Sequence, residues 1–267
     1  MWIKKTMTAL IEVSELCKSY QYREGLLTKK IIEAVKPLSF SLSAGETLAI
    51  IGETGSGKST LARMIAGVEE PTSGSIKING EELHYNDYST RSKFIRMIFQ
   101  DPNTSLNPRN QIGTILEAPL KRNTDMTAQE REKRIFETLS HVGLLPEHAY
   151  FYPQMLAAGQ KQRVSLARAL ILQPCVIVAD EPLNGLDMSM RSQIINLLLE
   201  QQERMGLSYI YVSQHMGIVK HISDKVMVMQ NGHIIEYASN KKIFQSPSHT
   251  LTRRLINSHF QLPISDK

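Results

Sequence analysis

An α/β fold is predicted by three stretches of the chain. Thr47-Leu48-Ala49-Ile50-Ile51 is a short apolar, β-branched run that feeds directly into Gly52-Glu53-Thr54-Gly55-Ser56-Gly57-Lys58-Ser59-Thr60, which reads as a strand, a glycine loop and a helix start. Cys175-Val176-Ile177-Val178-Ala179 is a second buried-strand pattern. It ends on Asp180-Glu181-Pro182, two adjacent carboxylates at the carboxyl end of a strand, where ligands of α/β proteins gather. Leu207-Ser208-Tyr209-Ile210-Tyr211-Val212 is a third strand pattern, closing on Ser213-Gln214-His215.

Size and composition bound what those elements belong to. A chain of 267 residues, 42% of them hydrophobic, makes one sizeable domain with subdomains. The richest apolar run, residues 169–179, is broken by Gln173 and Pro174, well short of the roughly 18 to 20 apolar residues a spanning helix needs, so no membrane crossing is expected. Met1-Trp2-Ile3-Lys4-Lys5-Thr6 has lysines but no apolar segment after them, so a secretory signal is not expected and a cytoplasmic address is. Cys17 and Cys175 lie far apart without metal-ligand neighbours and are expected as buried free thiols. A formal charge of +5, scattered along the chain, chooses among no partners.

The glycine loop carries the most specific chemistry. In G-x-x-x-x-G-K-S, glycines let the backbone curl so that N–H groups and a helix N-terminus point at phosphate oxygens. Lys58 then neutralises the β- and γ-phosphates, Ser59 places its hydroxyl on Mg²⁺, and Thr60 assists at the α-phosphate side. Asp180 suits Mg²⁺ through water, and Glu181 suits polarising the water that attacks a γ-phosphate. Two acids at a strand end are common surface decoration; the preceding glycine loop raises the functional reading. His215 has two readings, a γ-phosphate contact or a capping or core histidine. Gln100, after Arg96-Met97-Ile98-Phe99, either completes a metal shell or ends an edge strand.

The order of these parts resembles the ATP-binding-cassette (ABC) family. The family places Walker A at 52–60, a Q-loop glutamine at Gln100, a signature at Leu156-Ala157-Ala158-Gly159-Gln160, Walker B at 175–181, a D-loop aspartate at Asp187 and a switch histidine at His215. The resemblance implies ATP and Mg²⁺ as ligands and ATP hydrolysis carried by Lys58, Glu181 and His215. It puts Ser59, Gln100 and Asp180 on Mg²⁺. It also implies Tyr20 stacking on adenine, with Tyr22 as the second candidate, against the plain reading of Tyr20 as a strand-surface tyrosine. The implied fold is a RecA-like P-loop core with an N-terminal antiparallel β subdomain and a helical subdomain inserted at about residues 101–164. One ATPase domain is expected over residues 8–240, with a C-terminal tail over 241–267.

Finer resemblance narrows the group. Phe99-Gln100-Asp101-Pro102-Asn103-Thr104-Ser105-Leu106-Asn107-Pro108-Arg109 and the tail Ser246-Pro247-Ser248-His249-Thr250-Leu251-Thr252-Arg253-Arg254-Leu255 are similar to oligopeptide and dipeptide transport ATPases, and most of all to the antimicrobial-peptide, Sap-type branch. The cysteine cluster that some members carry near the C-terminus is lacking, so no iron–sulfur centre is expected. The resemblance implies two membrane-spanning permease subunits, a second ATPase subunit in a heterodimer, a periplasmic binding protein, no nucleic acid, and a place on the cytoplasmic face of a bacterial inner membrane. Polyamine, metal or other small-solute cargo is the alternative within the family. A soluble cassette protein acting on nucleic acid or ribosomes, or a small-molecule kinase, is the alternative outside transport.

Two departures matter. The usual Leu-Ser-Gly-Gly-Gln is here Leu156-Ala157-Ala158-Gly159-Gln160, without the hydroxyl, and Asn184-Gly185-Leu186-Asp187 stands where Ser-Ala-Leu-Asp is usual. In head-to-tail pairing this signature faces the partner's Walker A, so two unequal sites are expected. Thr127-Ala128-Gln129-Glu130 is a capping box, and Ile135, Leu139 and Val142 form a helical stripe read as core. Residues 189–205 form a further helix with Gly206 as its stop, again packing rather than chemistry. The permease is expected to dock on exposed residues between Asp101 and Arg109.

Overall fold

A computed structural model of the chain describes residues 9–24 and 28–260, with side chains outside 22–29. These fall into two compact units, one formed within residues 1–88 and 208–267 and the other within 89–207.

The first unit opens with β1 (Ile11–Glu24) and β2 (Thr28–Leu42), then β3 (Thr47–Gly52), α1 (Lys58–Ala66), β4 (Ser73–Ile78) and β5 (Glu81–Glu82). Strands β2-β1-β4-β5 make an antiparallel sheet, with Ile11 opposite Leu42 on one side and Ile78 on the other. Ile11, Val13, Val35, Leu38, Phe40 and Leu42 are buried, the apolar face of a half-buried sheet.

The second unit opens with α2 (Tyr88–Phe94), which starts at its border. It holds β6 (Ile95–Ile98), α3 (Pro102–Ser105), α4 (Ile112–Asn123), α5 (Ala128–His141), two short 3-10 turns, α6 (Ala158–Leu170), β7 (Val176–Asp180) and α7 (Met188–Met205). Strands β6 and β7 pair in parallel, Ile95 opposite Val176. Thr127 and Glu130 form the capping box of α5, and Ile135, Leu139 and Val142 are buried. Helix α7 stops at Gly206, whose φ of 66° is the left-handed conformation that ends a helix without steric cost. Its Ile194, Leu197, Leu198 and Gln201 face inward.

The chain returns to the first unit with β8 (Ser208–Val212), α8 (Met216–Ile222), β9 (Lys225–Gln230), β10 (His233–Ser239), α9 (Asn240–Gln245) and α10 (Thr250–Phe260). There the strand order is β10-β9-β3-β8, with β3 parallel to both neighbours. Strand β3 is buried along its whole length, which explains its unbroken apolar reading. Ala49 and Ile51 pack with Met216, Val219, Val226, Val228, Ile243 and Ile256 in one core that joins α8, α9 and α10 to the sheet. Truncating an isoleucine there costs about 2 to 5 kcal/mol.

The cysteines depart from expectation, since both are only half-buried. Cys175 lies just before β7, where its N–H donates to the Phe94 carbonyl at 3.0 Å, and burial pushes its thiol pKa up. Cys17 sits at a register shift of β1, its Sγ 3.0 Å from Ser73 Oγ.

Candidate functional site

The glycine loop belongs to the first unit and is over-determined by its surroundings. At Gly52 φ is 148°, and a Cβ would stand 2.2 Å from the Met229 carbonyl oxygen. At Gly57 φ is 102°, and a Cβ would meet the Ala34 oxygen at 2.4 Å. Only glycine fits both the conformation and the space. The loop is held from the β9–β10 hairpin: Gly232 N–H donates to Ser56 O at 3.1 Å, and Lys36 N–H donates to Gly232 O at 3.0 Å. Asn231 and Gly232, with φ of 49° and 79°, form the two-residue turn that the Asn-Gly pair favours.

Helix α1 starts straight out of this loop, and no side chain caps its N-terminus. Its first-turn N–H groups therefore point along the loop with the positive end of the helix dipole behind them. Lys58 is buried, and its ammonium donates to the carbonyls of Gly52 at 2.9 Å and Glu53 at 2.7 Å, inside the curl. Ser59 and Thr60 are half-buried on the first turn. Tyr20 has its hydroxyl pKa pushed up, chiefly by burial. Lys18 Nζ lies over the Tyr20 ring at 5.1 Å and pairs with Glu69 at 3.1 Å. Tyr20 stands beside the start of α1, while the side chain of Tyr22 lies outside the described residues.

His215 follows β8 in the same unit. Its backbone N–H donates to Ser213 Oγ at 3.1 Å, and it occupies the N-cap position of α8 without its side chain capping the helix. It is half-buried, so it is no core histidine.

The second unit gathers the carboxylates. Asp180 is buried at the end of β7. Glu181 follows with φ of 46°, a left-handed conformation costing a non-glycine residue of order 1 kcal/mol or more, of the kind held at functional sites. Its Oε2 accepts from Asn184 Nδ2 at 2.5 Å and from Gln100 Nε2 at 3.4 Å. Sequence reasoning treated Asn184 only as a departure from the family pattern; its amide in fact holds the carboxylate beside it. Asp187 is the N-cap of α7, accepting from Met190 N–H at 2.9 Å.

Residues 156–160 lead into α6. Leu156 and Gly159 are buried, Ala157 and Ala158 exposed. Ala157 is the N-cap and offers no oxygen, whereas Gln160 Oε1 accepts from the Ala157 N–H at 3.0 Å. Lys161 Nζ donates to Asn103 Oδ1 at 2.9 Å and Arg168 to the Ser105 carbonyl, so α6 is tied to the short segment after Gln100. In that segment Ser105 is half-buried and Arg109 exposed.

A family model described as ABC transporter matches residues 35–184, more than half of the chain. The chain belongs to the ABC transporter family. As a member it binds ATP and is an ATPase. It is 60% identical over 251 residues to the peptide transport system ATP-binding protein SapF of Salmonella typhimurium, and equally to the putrescine export system ATP-binding protein SapF of Escherichia coli K12; each match covers 94% of both chains. It is 43% identical over 258 residues to the dipeptide transport ATP-binding protein DppF of Haemophilus influenzae, covering 95% of this chain and 79% of that one. Among solved structures, the ATP-binding cassette MJ0796, a dimer bound to ADP and Pi, superposes with a TM-score of 0.75 at 28% identity over 86% of this chain and 98% of that one. No helix among the described residues is long and apolar enough to cross a membrane.

Proposed function

We propose that this ABC ATPase is the motor of a bacterial peptide transporter, working on the inner face of the inner membrane with two permease subunits, a second ATPase chain and a periplasmic binding protein. The observation that carries the cargo assignment is the 60% identity, over 94% of both chains, to proteins named for peptide transport. The same identity to a protein named for putrescine export favours a polyamine as the second reading.

In the first unit, Gly52 to Thr60 cradle the phosphates through backbone N–H groups, Lys58 supplies the cation, and Tyr20 stacks on adenine. In the second unit, Glu181 polarises the attacking water, its carboxylate oriented by Asn184 and Gln100. The Mg²⁺ that accompanies ATP takes hard oxygen donors, and the Ser59 hydroxyl, the buried Asp180 carboxylate acting through water, and the Gln100 carbonyl fit that need. When bound, the ion neutralises charge on the transferring phosphoryl group. His215 reads the γ-phosphate, Leu156 to Gln160 face the partner's nucleotide, and Asp187 stands at the dimer contact. Gln100 reports to the exposed segment ending at Arg109, where a permease docks; its ties to α6 through Asn103 and Ser105 supply the mechanical link.

The test is ATP turnover of the transporter reconstituted with its permeases and second ATPase, with and without cationic peptide and with putrescine, using Glu181→Gln as control. Peptide stimulation that disappears in Glu181→Gln supports the reading. Stimulation by putrescine alone moves the cargo to polyamine, and full turnover in Glu181→Gln overturns the assignment of the base. Arg109→Glu is expected to leave basal ATPase intact and abolish stimulation; unchanged transport removes the docking site from this segment.

A further inference from the structure

The C-terminal helix α10 reaches both phosphate-facing segments of the first unit. Its Arg254 pairs with Glu53 of the glycine loop. One turn further on, His259 Nε2 accepts the Gly217 N–H at 3.2 Å, closing the start of α8, the helix that His215 begins. The two imidazole rings meet edge to face, centroids 6.4 Å apart and planes at 72°.

His259 is exposed, yet its place is fixed by what surrounds it. Ile256 of α10 is buried in the core beside Met216 and Val219 of α8. Phe260 packs against the His259 ring at 5.1 Å and against Phe244 of α9 at 6.4 Å, and Lys220 of α8 lies over the Phe260 ring at 5.6 Å. Helix α10 is therefore locked to α8 by apolar burial and a cation–π contact, and His259 moves with the helix that carries His215.

We infer that His259 is a positioning residue for ATP hydrolysis, holding the ring of His215 and the first turn of α8 in one arrangement. This rests on the reading of His215 as the γ-phosphate contact. An imidazole on a short turn has several rotamers, and a histidine that contacts phosphate only when aimed at it gains rate from a neighbour that removes the others. The family motifs end at His215, so the chain's own tail supplies the support.

The experiment measures kcat and KM for ATP in the assembled transporter for His259→Ala, His259→Gln, His215→Ala and the His215→Ala/His259→Ala pair. Losing one aromatic contact of about 1 kcal/mol lowers kcat about fivefold in His259→Ala, with KM for ATP unchanged. His259→Gln, which keeps an acceptor for Gly217, loses less. In the His215→Ala background, removing His259 has no further effect. Equal losses with and without His215, equal losses for Ala and Gln, or no loss at all overturn the inference. A silent His215→Ala instead overturns the underlying reading of His215, which distinguishes the two failures.

Discussion

Helix α1 begins at Gly57, a glycine at φ 102°, and helix α6 begins at Ala157, a residue with ordinary extended backbone; neither N-cap residue accepts a first-turn N–H through its own side chain, although at α6 Gln160 Oε1 accepts the Ala157 N–H. Helices α5 and α7 differ from both, because Thr127 and Asp187 each accept a first-turn N–H. An uncapped N-terminus leaves donors and about half a positive charge available to an anion. The two open ends are furnished differently. At α1 the two ends of the loop are fixed, Gly52 and Gly57 being dictated by carbonyls 2.2 and 2.4 Å from where a Cβ would stand, and a buried lysine adds a full charge. At α6 two exposed alanines bring no hydroxyl, the Ala157 N–H is already taken by Gln160, and Lys161 donates to Asn103. An end of the first kind holds phosphate by itself. In the head-to-tail pairing proposed above, an end of the second kind adds to a phosphate already held by another chain, and here it would do so without the usual hydroxyl.

The comparison breaks most visibly at Lys58. Lys58→Ala removes charge-assisted bonds worth about 1.5 to 3 kcal/mol, so ATP affinity of the chain is expected to fall about a hundredfold by titration calorimetry. Affinity within threefold of the parent would contradict the claim that the cation makes the α1 end self-sufficient. Next in size is Asn184→Ala. With the Glu181 carboxylate no longer held, turnover is expected to drop about tenfold at unchanged KM for ATP, the cost of one hydrogen bond to a charged group. A change confined to KM would assign Asn184 to nucleotide binding instead. The smallest effect is a gain. Ala157→Ser restores the hydroxyl, and recruiting a second competent site at most doubles turnover, to about twofold. The same change adds an N-cap worth about 1 kcal/mol to the unfolding free energy measured in urea. Added stability without added turnover would show that the weak end fails for another reason.

Legibility in the sequence follows the same division. The glycine loop and the capping box of Thr127 and Glu130 are local, because each is a set of backbone demands met within a few adjacent residues. The three strand patterns at 47–51, 175–179 and 207–212 are likewise local and form β3, β7 and β8. In each unit, what holds the candidate residues comes from far along the chain. Gln100 meets Glu181 across 81 positions, and Arg254 meets Glu53 across 201, separations that no spacing rule encodes. Asn231-Gly232 is readable as a hairpin turn, but its grip on Ser56 is not. An apolar run says little about its end residue, and Cys175 sits just outside the strand that follows it, which leaves it half-buried.

Inequality of the two ends is tested most directly by inactivating one catalytic glutamate at a time in the assembled transporter and measuring ATP turnover. On the proposal that the competent site uses this chain's Walker residues, Glu181→Gln in this chain is expected to remove nearly all turnover, while the matching change in the second ATPase removes little. Equal losses from the two changes would contradict the account.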